Sequence, residues 1–158
     1  MATITEATNE FLSHKRFAVA GVSRHPSGHG GNVVYQRLRS RGYQVYAVNP
    51  NADSVEGDPC YPDLKSIPGG VDVVVIATNP SAAEAVARQC KDLGITRVWM
   101  HRSFGPGSVS DAAADYCRQN GITVIAGGCP LMFGPTADFG HKCMAWMLKM
   151  TGAVPRSV

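Results

Sequence analysis

The run Val71-Asp-Val-Val-Val-Ile-Ala77 constrains this chain more than any other stretch. Its β-branched side chains favour a strand over a helix. It is apolar at consecutive positions, so neither face of that strand can be left to water. Layers must cover both sides, as in the centre of a parallel sheet.

The rest of the chain supplies the matching parts. Arg16 to Gly21, Tyr43 to Val48, Thr96 to Met100 and Ile122 to Ala126 read as four further strands. Helical periodicity separates them. Thr5 to Ser13 is a short leading helix. Asn32 to Arg41 is a crossover helix with Val33, Val34 and Leu38 inward. Ser81-Ala-Ala-Glu84 reads as a capping box opening a helix that runs to Leu93. Another helix begins at Ser108. A closing helix, Ala137 to Met150, carries Phe139, Cys143, Trp146, Met147 and Met150 on one face, as core or as a subunit contact. Ala52 to Gly70 holds Pro59, Pro62 and Pro68 and reads as irregular.

Alternating strands and helices predict an α/β fold: a Rossmann-like, doubly wound parallel sheet of five strands with a C-terminal helix. The expected strand order is 3-2-1-4-5, with a ligand crevice between the first and fourth strands. No linker or repeat interrupts residues 1–158, so they form a single domain.

Bulk properties narrow the function classes. The 158 residues carry a net charge of only +3, with the basic residues scattered, so no nucleic-acid surface is expected. No apolar run reaches the roughly 18 residues of a membrane span. Met1 to Glu10 lacks the pattern of a secretory signal, which makes a cytoplasmic location the expectation. The five cysteines are odd in number and none is spaced C-x-x-C, which argues for reduced thiols.

The candidate site is the glycine-rich turn after the first strand. Gly21-Val22-Ser23-Arg24-His25-Pro26 sits between a strand and a helix entrance, where unpaired N–H groups and the helix dipole attract phosphate. A dinucleotide fingerprint G-x-G-x-x-G fails at its second and third glycines. The acidic residue that would grip a ribose is replaced by Val48-Asn49-Pro50. A Walker A loop fails as well. Small Ser23 beside Arg24 and His25 suits a phosphate-rich ligand. His101, Cys129 and His141 lie on segments that can converge, either as cavity lining or as a metal or thiol site. Cys129 is either a packing thiol or one facing a ligand.

These residues resemble the small stand-alone CoA-binding proteins, whose fold is similar to the nucleotide-binding domain of the succinyl-CoA ligase alpha subunit. The pieces that carry the likeness are Ala20-Gly-Val-Ser23 with Pro26, Gly42-Tyr43 through Val48-Asn49-Pro50, and Gly57 with Tyr61-Pro-Asp-Leu64. Val71-Asp72, Trp99 and Cys129-Pro-Leu-Met132 complete them. The resemblance implies binding of CoA or an acyl-CoA, with no assigned catalysis. It implies that the turn from Gly21 and Val22 wraps the phosphates with Ser23, Arg24, His25 and Pro26, while Asn49 and Pro50 border the adenosine. Thr78, Asn79 and Pro80 would line the pocket, and His101, Arg102 and Ser103 would sit near the pantetheine arm. Ala77-Thr78-Asn79 replaces the Phe-Arg of many relatives, and His101 a frequent Gln. The ligase's phosphorylated histidine belongs to a second domain, so ligase chemistry is not implied. The alternatives are an NAD(P)-dependent oxidoreductase and a ligand-sensing regulatory subunit, with a homo-oligomer or a protein partner possible.

Overall fold

A computed structural model describes residues 2–102, 107–134 and 137–158. Among these residues seven strands form one sheet: β1 (Arg16–Ala20), β2 (Gln44–Val48), β3 (Ser54–Val55), β4 (Asp58–Tyr61), β5 (Val73–Ile76), β6 (Arg97–Met100) and β7 (Thr123–Ala126). Their order is β3-β4-β2-β1-β5-β6-β7, with every pairing parallel except β3 with β4. The helices are α1 (Ile4–Ser13), α2 (Gly30–Ser40), α3 (Pro80–Asp92), α4 (Asp111–Gln119) and α5 (Phe139–Thr151).

Strand alternation sorts the core into two layers. Phe17, Val19, Val73, Val75, Trp99 and Ile125 pack on one face with residues of α1, α2 and α5. Ala18, Ala20, Val74, Ile76, Val98, Met100 and Val124 pack on the other with α3 and α4. Successive strand side chains point to opposite faces, so a continuous apolar run serves both layers at once. Buried Trp99 holds its layer together. Its Nε1 donates to the Gly127 carbonyl at 3.0 Å, and its ring meets Phe11 edge-on at 6.1 Å between centroids.

Several expectations from the sequence need correction. The connection before β5 is not irregular: it holds the β3–β4 hairpin, and β4 joins β2 in parallel. Pro59 is tolerated because it opposes Ser54 in a two-residue edge strand, where a missing N–H disrupts little. Among the parallel strands the order is therefore 3-2-1-4-5-6, and the expected third strand, β5, lies directly beside β1. α2 begins at Gly30, and its buried face is Asn32, Val34, Tyr35 and Leu38, with Val33 exposed. Pro80 starts α3 with Asn79 at the cap, so the Ser81–Glu84 box does not form; Glu84 pairs with Arg88 at 2.6 Å instead. α4 is capped by Ser110 rather than Ser108. The apolar stripe of α5 points outward.

None of the five cysteines is in a disulfide, and only Cys143 is exposed. Burial pushes the thiols of Cys60 and Cys90 up, and that of Cys117 to about 11. A thiol reagent at neutral pH should therefore titrate one cysteine in the folded protein and five in denaturant. Rapid native reaction of two or more would contradict this packing.

Candidate functional site

The chain leaves β1 toward α2 on one face of the sheet and leaves β5 toward α3 on the other. Adjacent strands whose connections diverge in this way open a crevice at their carboxyl ends. Two cavities lie there. The first, about 460 Å³, is bordered by Gly21, Ser23, Asn49, Pro50 and the start of α3. The second, about 600 Å³, is bordered by Gly28, Gly30, Gly31, His101, Cys129 and His141. His29, Ala77, Thr78 and Asn79 line both.

Two glycines make the meeting point possible. Gly21 has φ of +99°, and a Cβ there would stand 2.5 Å from the Ala77 carbonyl oxygen. Only glycine permits that backbone and that approach. A Cβ on Gly31 would stand 2.8 Å from the Gly21 carbonyl oxygen and 3.0 Å from the Ala77 Cβ. Gly31 thus performs the helix-to-strand packing that the third glycine of a dinucleotide fingerprint performs, from five residues beyond that glycine's position at Pro26. The missing glycine of the motif is displaced rather than absent.

Asn32 fixes the turn. Its side chain is 2% exposed. Oδ1 accepts from the Ser23 N–H at 2.8 Å, while Nδ2 donates to the Ser23 carbonyl at 2.8 Å and to Glu56 Oε1 at 2.7 Å. Glu56 and Gly57 form the tip of the β3–β4 hairpin with positive φ at both. Hydrogen bonds from Asn32 and Gln36 hold the Glu56 carboxyl below the usual carboxylate range. The second strand end is tied in as well, because Asn49 Nδ2 donates to the Val22 carbonyl at 2.9 Å.

A tally of donors shows what the turn has left to offer. Gly21 N–H is taken by the Val48 carbonyl, Ser23 N–H by Asn32, and His25 N–H by Ser23 Oγ. His29 occupies the cap position of α2 without capping it. The N–H groups of Gly30 and Gly31 meet no acceptor among the described residues. These two orphan donors, at the positive end of the helix dipole, stand between the two cavities.

The other sequence-derived residues fall as follows. Asn49 and Pro50 border the first cavity; Thr78 and Asn79 border both. Val22 is buried and turned into the core. Arg24, His25 and Pro26 are exposed on the loop, and exposed Pro80 is the first residue of α3. Arg102 is half-buried, its N–H donating to the Gly128 carbonyl at 2.8 Å. Ser103 lies outside the described residues. His101 lies across the first turn of α2: a Cβ on Gly30 would stand 2.9 Å from its Cε1. Burial holds its imidazole below the ordinary histidine value, favouring the uncharged ring. His141 Nδ1 is bonded to Asp138 Oδ2 at 2.8 Å. His101, Cys129 and His141 share the second cavity, but no group of three metal-ligating side chains exists among the described residues.

Sequence reasoning took the glycine-rich loop up to the helix entrance at Asn32 as the phosphate turn, but named none of His29, Gly30, Gly31 and Asn32 among its contact residues. The available signal was a Gly-Gly pair opening a helix that has no Ser, Thr or Asp cap.

Residues 15–135 match the family described as CoA binding domain, most of the chain. The chain belongs to that family. As a CoA-binding domain it is 37% identical over 107 residues to acetate–CoA ligase [ADP-forming] II of Archaeoglobus fulgidus, covering 66% of this chain and 16% of the ligase. It thus spans about a sixth of that relative. It is 28% identical to the uncharacterized protein YneT of Bacillus subtilis, over 73% of this chain and 82% of YneT. Among solved structures, a hypothetical protein from Pyrococcus horikoshii superposes with a TM-score of 0.72 at 28% identity, covering 80% of this chain and 86% of that one. No helix among the described residues is long and apolar enough to cross a membrane.

Proposed function

We propose that the domain binds CoA or an acyl-CoA across both cavities, with the diphosphate on the N–H groups of Gly30 and Gly31. The observation that carries this reading is the uncapped start of α2 standing between the cavities. Backbone donors at a helix start bind phosphate without the desolvation cost of a buried lysine or arginine. The adenosine end takes the first cavity, against Asn49, Pro50 and the first turns of α3. The pantetheine arm passes over Thr78 and Asn79 into the second cavity, toward His101 and Cys129. Exposed Arg24 and His25 face the remaining phosphate charge from the loop. His101, whose burial favours the uncharged ring, adds a polar group at the thiol end. The reading assigns binding and no reaction, in a cytoplasmic setting.

Thermal shift with CoA, acetyl-CoA, NAD and NADP tests it. A ligand that binds only the folded state raises the melting temperature, by about 2.7 kcal/mol of stabilisation at a hundredfold excess over Kd. CoA and acetyl-CoA should raise it; NAD and NADP should not, because Val48-Asn49-Pro50 offers neither a carboxylate to the ribose of NAD nor an arginine to the 2′-phosphate of NADP. A shift with NAD or NADP alone would replace this reading with that of a nicotinamide enzyme.

A further inference from the structure

α5 is apolar on two opposite sides. Its inner side packs through Ala145 and Leu148, and also turns His141 and Met144 to the second cavity. Its outer side exposes Phe139 by 82%, Trp146 by 65%, Met147 by 54% and Met150 by 71%, with exposed Cys143 among them. A helix apolar on two opposite sides is normally covered on both. At on the order of 200 Å² for each large side chain, these four present about 550 Å² to water. That is at the upper end for the largest apolar patch of a monomer, and too ordered along one helix to be scatter.

We propose that this stripe pairs antiparallel with the same stripe of a second copy of the chain. The spacing is self-complementary. An antiparallel register that sets Phe139 against the partner's Met150 also sets Cys143 against the partner's Trp146. A two-fold axis then repeats each contact, so the surface closes on itself and does not extend into fibres. A groove of about 430 Å³ lies beside Trp146 and Met150, walled by Thr3, Ile4 and Pro155. It receives the partner's Phe139, the most exposed large apolar side chain of the stripe. The stripe alone buries about 1,100 Å² across the pair, just past the roughly 1,000 Å² that a specific interface needs. The dimer therefore braces the helix that walls the second cavity.

Sedimentation velocity on the full chain between about 1 and 100 μM tests the proposal, independently of any ligand. The wild type should sediment as a dimer at the upper concentrations. Trp146→Glu with Met150→Glu should sediment as a monomer with an unchanged circular dichroism spectrum, since both residues are exposed. A short bismaleimide should link the wild type through Cys143, and should fail with Cys143→Ser and with the double variant. A wild type monomeric throughout would overturn the proposal, as would a double variant that stays dimeric. A monomer that floats with anionic phospholipid vesicles would overturn it too, assigning the stripe and its flanking Lys142 and Lys149 to a lipid surface.

Discussion

Gly21→Ala should lower the melting temperature by about 10 °C or more and abolish CoA binding. The new methyl group meets two independent penalties. The backbone at φ of +99° is a conformation that side-chain-bearing residues avoid, at a cost of about 1–3 kcal/mol. The Cβ would also stand 2.5 Å from the Ala77 carbonyl oxygen, which belongs to the backbone and has no rotamer to yield. Overpacking of this kind costs about 1–3 kcal/mol more. The sum is a large share of the roughly 5–15 kcal/mol that holds a domain folded. Gly31→Ala is the informative companion. It gains helix propensity of about 1 kcal/mol but overlaps the Gly21 carbonyl at 2.8 Å. Its net loss should be smaller, and its effect should fall mainly on the ligand. If Gly21→Ala melts within a few degrees of wild type, the approach of the two strand ends is not as described.

Asn32→Asp should cost about 3–5 kcal/mol at pH 7, although it changes one atom. Nδ2 now donates to the Ser23 carbonyl and to Glu56. A carboxylate oxygen there would face a carbonyl and a second carboxylate, in a site almost closed to water. Folding would favour the protonated carboxyl, raising its folded pKa above the unfolded value near 4. The sign follows: a group raised on folding loses stability as pH rises. The deficit against wild type should be small at about pH 4 and widen above it. Asn32→Leu separates charge from hydrogen bonding. It strands the Ser23 N–H and carbonyl, costing about 1–3 kcal/mol each, and its deficit should widen with pH only by the smaller amount that the lost hydrogen bond to the Glu56 carboxylate contributes. Thermal or urea denaturation at several pH values measures both. A pH-independent deficit for Asn32→Asp would show that its side chain reaches water.

What the sequence made legible divides along physical lines. The β5 run and the turn after β1 were readable because their signals are local: β-branching, alternation and a glycine that interrupts an apolar strand. The strand order was not, because it depends on β4, a four-residue strand with Pro59 inside it and no pattern of its own. Only its pairings with β2 and β3 make it a strand. Gly31 was missed for a related reason. Its task is defined by closeness to Gly21 and Ala77, and a loop of variable length separates the partners. α5 was found as a helix but not oriented, since a helix with apolar residues on two faces gives no direction by periodicity. Asn32 read as an ordinary helix-entrance residue. Its partners, Ser23 and Glu56, lie nine residues before it and twenty-four residues after it.

The donors of Gly30 and Gly31 carry the functional reading, and His29→Asp tests them most directly. An aspartate at this cap position would accept from the first-turn N–H groups and complement the dipole, stabilising the protein by about 0.5–2 kcal/mol. It would also fill the proposed anion site with a fixed negative charge. Calorimetric titration of CoA into the variant should therefore show affinity reduced at least tenfold in a protein that melts higher than wild type. Unchanged affinity in that better-capped protein would mean that the phosphates bind elsewhere.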